Sequence, residues 1–244
     1  VAATERLQAS ESSPDELARA FAVASRILGN QRAGLYRSAS HPSPGPRVMA
    51  KMPTALIVSP TLPATLKERE AARPQAELQF VLARGVEGLR PEYILALALP
   101  RGELARLLGL AVRAFHPRHS GKPADDVAAW KRELAYRATK RLGDLFRERP
   151  DIEFSSPIWR REVRRTLNRA ALLVCGDLLA SANVLRTLDV SANRDERSAT
   201  AGLNLRLDDH GADPAQEAEA DLRDLFGFYV DPQFAPLFDK LHPR

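Results

Sequence analysis

Apolar residues recur along this chain with two different periods. Leu17, Ala20, Phe21, Ala24 and Leu28 fall three or four apart, the spacing of one helix face. Ser13-Pro14-Asp15-Glu16 just before them predicts the helix start, with Ser13 as N-cap, Pro14 at the first helical position and Glu16 closing a capping box. Gly29-Asn30 predicts its end. The character then changes. Gly34 to Ser38, Val48 to Met52 and Ala55 to Ser59 are short β-compatible runs around a Pro, Ser and Gly-rich loop at His41 to Pro46, which predicts a small sheet over about residues 35–59.

From Glu77 onward the period is helical. Leu78, Val81, Leu82, Val86 and Leu89 make one stripe; Leu104, Leu107, Leu108 and Ala111 a second; Val127, Trp130, Leu134, Leu142 and Leu145 a third, with Pro91, Pro100 and Pro117 as punctuation. A long helix is expected over about Pro157 to Leu188 and a last one near Ala215 to Phe228, separated by a loose loop at Ala192 to Pro214. No internal repeat has a convincing period. The expected fold class is therefore α+β, mostly helical, with a small sheet followed by a helical core. Residues 1–33 are expected to form an N-terminal helical segment and residues 34–244 the main domain.

Composition narrows the role. No apolar run approaches the roughly 18 residues needed to cross a bilayer, so no membrane insertion is expected. The single cysteine, Cys175, excludes an internal disulfide framework and fits a reducing compartment such as the cytoplasm. Val1 to Ser13 lacks the basic-then-apolar order of a secretion signal, and a start at Val1 points to a trimmed or processed chain. The net charge of +5 is unevenly spread: Lys131 to Arg169 holds 12 basic and 6 acidic residues, Asp189 to Arg244 holds 6 basic and 12 acidic. The two regions have the charges to neutralise each other within the fold.

Glu77-Leu78-Gln79-Phe80-Val81-Leu82-Ala83-Arg84-Gly85-Val86-Glu87-Gly88-Leu89, preceded by Leu56-Ile57-Val58-Ser59, resembles the strand and motif helix of HExxH zinc peptidases of the CAAX prenyl endopeptidase kind. The likeness extends over about Leu35 to Asp177 and fails at the chemical positions. Arg84 stands for the first His, Gly85 for the Glu and Gly88 for the second His. In the later helix Arg164 stands for the third ligand and Asn168 for the family's Asp. A catalytic zinc needs two imidazoles one turn apart, a third ligand and a carboxylate. The resemblance therefore implies a zincin-like arrangement without metal or cofactor, no enzymatic activity, and two cations, Arg84 and Arg164, facing the former site.

A second likeness adds context. Asn168 to Asp177 and Asp224-Leu225-Phe226-Gly227-Phe228-Tyr229-Val230 resemble the C-terminal region of large bacterial tetratricopeptide-repeat proteins, where such a degenerate domain follows the repeats. That resemblance implies an interaction scaffold, with the N-terminal helix as the end of a repeat array.

Other constellations are weaker. His116 and His119 flank Pro117 and lack a completing ligand set, Cys175 lies in an apolar helical run that suits a structural thiol, and Ser120-Gly121-Lys122 lacks the earlier glycine of a phosphate loop. The densest chemistry is the arginine helix. Arg161, Arg165 and Arg169 form one line, Arg160 and Arg164 the adjacent one, and Val163, Leu167, Ala170 and Val174 the opposite face. Its plainest reading is a basic face solvated or paired with the acidic tail. Its functional reading is anion or partner binding by Arg84, Arg160, Arg161, Arg164, Arg165 and Arg169. The expected partner is another protein with an acidic surface; nucleic acid or phosphate on the arginine helix is the alternative, disfavoured by the lack of interleaved aromatic residues.

Overall fold

The computed structural model describes residues 4–41, 45–50, 53–68, 73–119, 124–189 and 214–242. The fold is α+β and mostly helical, and the chain divides into two compact units: residues 1–98 with 162–244, and residues 99–161. The expected boundary after residue 33 is not where this division falls. Residues before it contribute both a strand and a helix to the first unit.

In that unit β1 (Thr4–Leu7), β2 (Gly34–Ser38), β3 (Arg47–Met49) and β4 (Ala55–Val58) form one sheet in the order β1-β2-β4-β3. β2 and β4 run parallel with Leu35 opposite Leu56, while β1 and β3 are antiparallel edges. The sheet thus contains the three expected strands and a fourth, β1. Only Leu7 of that strand is buried, so no alternating apolar pattern marks it.

Helix α1 (Glu16–Ile27) is capped by Asp15, whose carboxylate accepts from the Ala18 amide at 3.1 Å. Ser13 sits two residues upstream, where its hydroxyl accepts from the Asp15 amide at 3.2 Å, so the expected cap is displaced by two positions. The C-terminus follows expectation, with Gly29 at φ 70. After α2 (Leu62–Glu68), helix α3 (Pro74–Glu87) packs against both α1 and α2. Phe80, Ala83 and Gly85 are buried along with Leu78, Val81, Leu82 and Val86, so α3 is a central helix buried well beyond one stripe. The short α4 (Ile94–Ala98) completes this half of the unit.

The second unit contains α5 (Arg101–Phe115), a 3-10 turn at Pro117–His119, α6 (Asp125–Glu133) and α7 (Tyr136–Glu148). Leu104, Leu110, Val127 and Phe146 are its buried apolar side chains among the described residues. The single stripe expected from Val127 to Leu145 is divided between α6 and α7.

The boundary between units falls within α8 (Ser156–Cys175). The long helix expected over Pro157 to Leu188 breaks after Cys175. Gly176 takes φ 67, Asp177 caps α9 (Leu178–Val184) by accepting from the Ala180 amide, and a π-helical turn spans Leu185–Asp189. Helices α10 (Pro214–Tyr229) and α11 (Phe234–Leu241) return to the first unit, whose core includes Leu172, Val184, Leu222, Leu225 and Phe234. The last of these helices was not expected. The expected loop at residues 192–214 lies, up to Pro214, outside the described residues, as does Ser120-Gly121-Lys122.

Candidate functional site

The positions that resemble a zinc-peptidase motif lie on α3 above β4. Gly85 lies directly over Leu56: a Cβ at Gly85 would sit 2.7 Å from both Leu56 methyls, and Leu56 is fully buried. A Cβ at Gly88 would overlap Leu97 Cδ1, although Leu97 is partly exposed and has more room to yield. Val86 is tied down in turn, its carbonyl accepting from Asn30 Nδ2 at 3.1 Å. Arg84 is a cation and Gly85 and Gly88 offer no donor atom, so the residues present at the motif positions do not fit zinc. Among the described residues no group of three His, Cys, Asp or Glu side chains comes together as a metal site.

Carboxylates on α3 are used structurally. Glu77 is buried and accepts from Asn183 Nδ2 at 2.7 Å. Glu87 is buried beside Arg90 at 2.8 Å; burial pushes its carboxyl above the ordinary range and Arg90 only partly offsets this. Arg84 stacks its guanidinium 5.8 Å from the Phe80 ring centroid.

Arg164, the other cation expected at the former site, is engaged by helix α10. Its Nη1 lies 2.9 Å from Glu217 and its Nε 2.5 Å from Asp221, a nearly inaccessible carboxylate. Burial works against the Arg164 charge, but Asp221 and Glu217 outweigh it and hold the guanidinium above its ordinary value. Arg169 forms a two-pronged contact with Asp224, at 2.9 and 2.5 Å, and Arg165 reaches Glu162 at 3.1 Å and Asp224 at 4.0 Å. Glu217, Asp221 and Asp224 recur at i, i+4 and i+7, so they form one acidic line on α10. Ala218, Leu222 and Leu225 beside it are buried in the core. The acidic region does pair with the basic one, at Arg164, Arg165 and Arg169.

Arg160 and Arg161 belong to the second unit, where Arg160 donates to the Leu99 carbonyl. Of the arginines singled out in the sequence, Arg84, Arg164, Arg165 and Arg169 belong to the first unit. His116 is buried in that unit, where its Nδ1 accepts from the Arg118 amide and its ring meets Phe146 edge-on. Cys175 ends α8, its sulfur 3.3 Å from Ser181 Oγ, and burial pushes its thiol up despite that contact. Both are structural positions.

Two exposed features escaped the sequence reading. At the end of α10, Phe226, Tyr229 and Val230 share one face and are 41%, 41% and 75% exposed, forming an apolar edge on the first unit. Beneath it Phe234 is buried, with ring centroids 4.9 Å from Tyr229 and 5.5 Å from Phe228. In the second unit α7 exposes Tyr136, Arg137, Lys140 and Arg141. Their signal in the sequence is the inward phase of Leu142 and Phe146, which leaves the cations outward, but the denser run at residues 160–169 overshadowed it. No family model, curated protein or solved structure matches this chain.

Proposed function

We propose that this chain is a non-enzymatic protein-interaction domain of degenerate zinc-peptidase type, serving as a scaffold. The observation that supports the reading is the donor set on α3: Arg84, Gly85 and Gly88 supply neither a metal ligand nor a general base, and Gly85 packs directly on Leu56. A protein surface remains as the functional feature. The apolar edge at Phe226, Tyr229 and Val230 supports protein binding, since partly exposed aromatic residues around a branched aliphatic are the material of interface hot spots. An acidic partner would have to displace Glu217, Asp221 and Asp224 to reach Arg164, Arg165 and Arg169, so the apolar edge is the better docking surface. The half-buried lone thiol suits a cytoplasmic setting.

The test is affinity capture from the native source with the wild-type chain and with Val230→Asp. Exposure of Val230 makes that variant safe for folding. The reading predicts a reproducible partner retained by the wild type and lost from Val230→Asp, with unchanged melting temperature. Capture that ignores Val230→Asp and a matching Phe226→Asp, or recovers no protein repeatedly, contradicts it.

A further inference from the structure

The chain's positive charge is distributed differently in space from how it is distributed in sequence. Arg164, Arg165 and Arg169 are matched by carboxylates of the same unit. The second unit holds a set that is not. Lys131 and Arg132 end α6, and Arg137, Lys140 and Arg141 occupy α7; all five are exposed, and Glu133 is the one acidic residue within 131–141. None of the five enters an ion pair among the described residues. Lys131 Nζ lies 5.0 Å from the Phe115 ring centroid, and Arg132 Nε donates to the Ala128 carbonyl of its own helix.

Helix geometry orders these charges. Arg137, Lys140 and Arg141 fall at i, i+3 and i+4, so they share one face with axial spacings of about 4.5–6 Å. Phe146, 1% exposed, anchors the opposite side of α7. Tyr136 opens the helix one residue before Arg137 and one turn before Lys140. At 81% it is the most exposed large hydrophobic side chain among the described residues. A large ring left in water beside a line of unpaired cations has no role in holding this unit together.

We infer that the α6–α7 surface binds single-stranded nucleic acid, with Lys131, Arg132, Arg137, Lys140 and Arg141 on phosphates and Tyr136 stacking on a base. Single strands combine a charged backbone with free base faces, and cations around an aromatic ring meet both. An acidic polypeptide would use the charges and leave the ring without a matched partner. An anionic membrane would need a continuous exposed apolar helix face, whereas on α7 Phe146 is buried, Leu142 is half-buried and Leu145 is the one exposed aliphatic side chain. A paired duplex hides its base faces from Tyr136. The inference stands apart from the protein-binding reading, since it uses no residue of the α10 edge.

The experiment is fluorescence anisotropy of a labelled oligothymidylate with the full chain across a salt series. Three to five neutralised phosphates predict a slope of log affinity against log salt of about −2 to −3.5. Arg137→Ala/Lys140→Ala/Arg141→Ala, all surface changes, should flatten the slope by about 2. Tyr136→Ala should weaken binding about tenfold and leave the slope alone, while Tyr136→Trp restores affinity. Arg169→Ala, on the internally paired helix, should change neither. No binding by a chain shown to be folded by circular dichroism overturns the inference, as does a slope indifferent to the triple change. Tyr136→Ala without effect, combined with equal competition by poly-glutamate, assigns the surface to acidic proteins instead. Tighter binding of a duplex overturns the single-strand claim.

Discussion

At Gly85 a hydrogen in place of a methyl lets α3 approach β4, because any Cβ there would sit 2.7 Å from the methyls of the fully buried Leu56. Two effects oppose each other when Ala is introduced. Helix propensity favours Ala by about 1 kcal/mol. Overpacking a core that cannot yield costs about 1–3 kcal/mol, so Gly85→Ala is expected to destabilise the fold. Leu56→Ala alone should cost about 2–5 kcal/mol through lost burial and a cavity. In the Leu56→Ala background the clash is gone, and Gly85→Ala should then stabilise by about 1 kcal/mol. Denaturant midpoints of the four proteins in this cycle read the sign directly. An equal penalty in both backgrounds would show that the contact is not what fixes residue 85.

At the scale of elements, the joint between α8 and α9 shows why part of the fold was not legible in the sequence. Apolar residues continue on both sides of Gly176, so periodicity alone reads one helix from Pro157 to Leu188. The break is made locally: Gly176 takes the left-handed conformation and Asp177 caps the next helix while reaching Arg73 at 2.6 Å. Burial opposes the Asp177 charge, but the Arg73 contact and the Ala180 and Leu179 amides outweigh it and hold the carboxyl below its ordinary range. A depressed folded value contributes stability that is present above the unfolded carboxyl's value, near 4, and is lost as pH falls through the folded one. Asp177→Ala should therefore cost about 1 kcal/mol near neutral pH. Below about pH 4 the gap to wild type should narrow, and Asp177→Asn, which keeps an acceptor without the charge, should show a flatter profile. A gap independent of pH would contradict this account of the joint.

Other elements were legible because their faces repeat. The stripes of α1, α3 and α5 and the runs that became β2, β3 and β4 needed only local pattern. β1 did not qualify, because Thr4, Glu5 and Arg6 are exposed and its place depends on pairing with β2. The same limit governs charge. The arginine line on α8 follows from helical spacing, but its pairing with Glu217, Asp221 and Asp224 requires α10 to lie beside it, a tertiary fact reached across more than 50 residues of chain.

For the molecule as a whole, the resemblance to a peptidase implied a cationic former site at Arg84 and Arg164, and in the first unit Arg164 is matched by carboxylates of α10. Arg164 finds its anions within the chain, and Leu56 fills the place over Gly85. The two proposals rest on the apolar edge at the end of α10 in the first unit and on the cationic, tyrosine-bearing face of α7 in the second. Whether the motif-like helix can hold a metal is decided by elemental analysis of the purified chain after equilibration with zinc and removal of excess metal. A helix presenting Arg84, Gly85 and Gly88 should retain far less than one zinc per chain and leave the melting temperature unchanged; one tightly held zinc per chain, with stability lost on chelation, would refute the proposal.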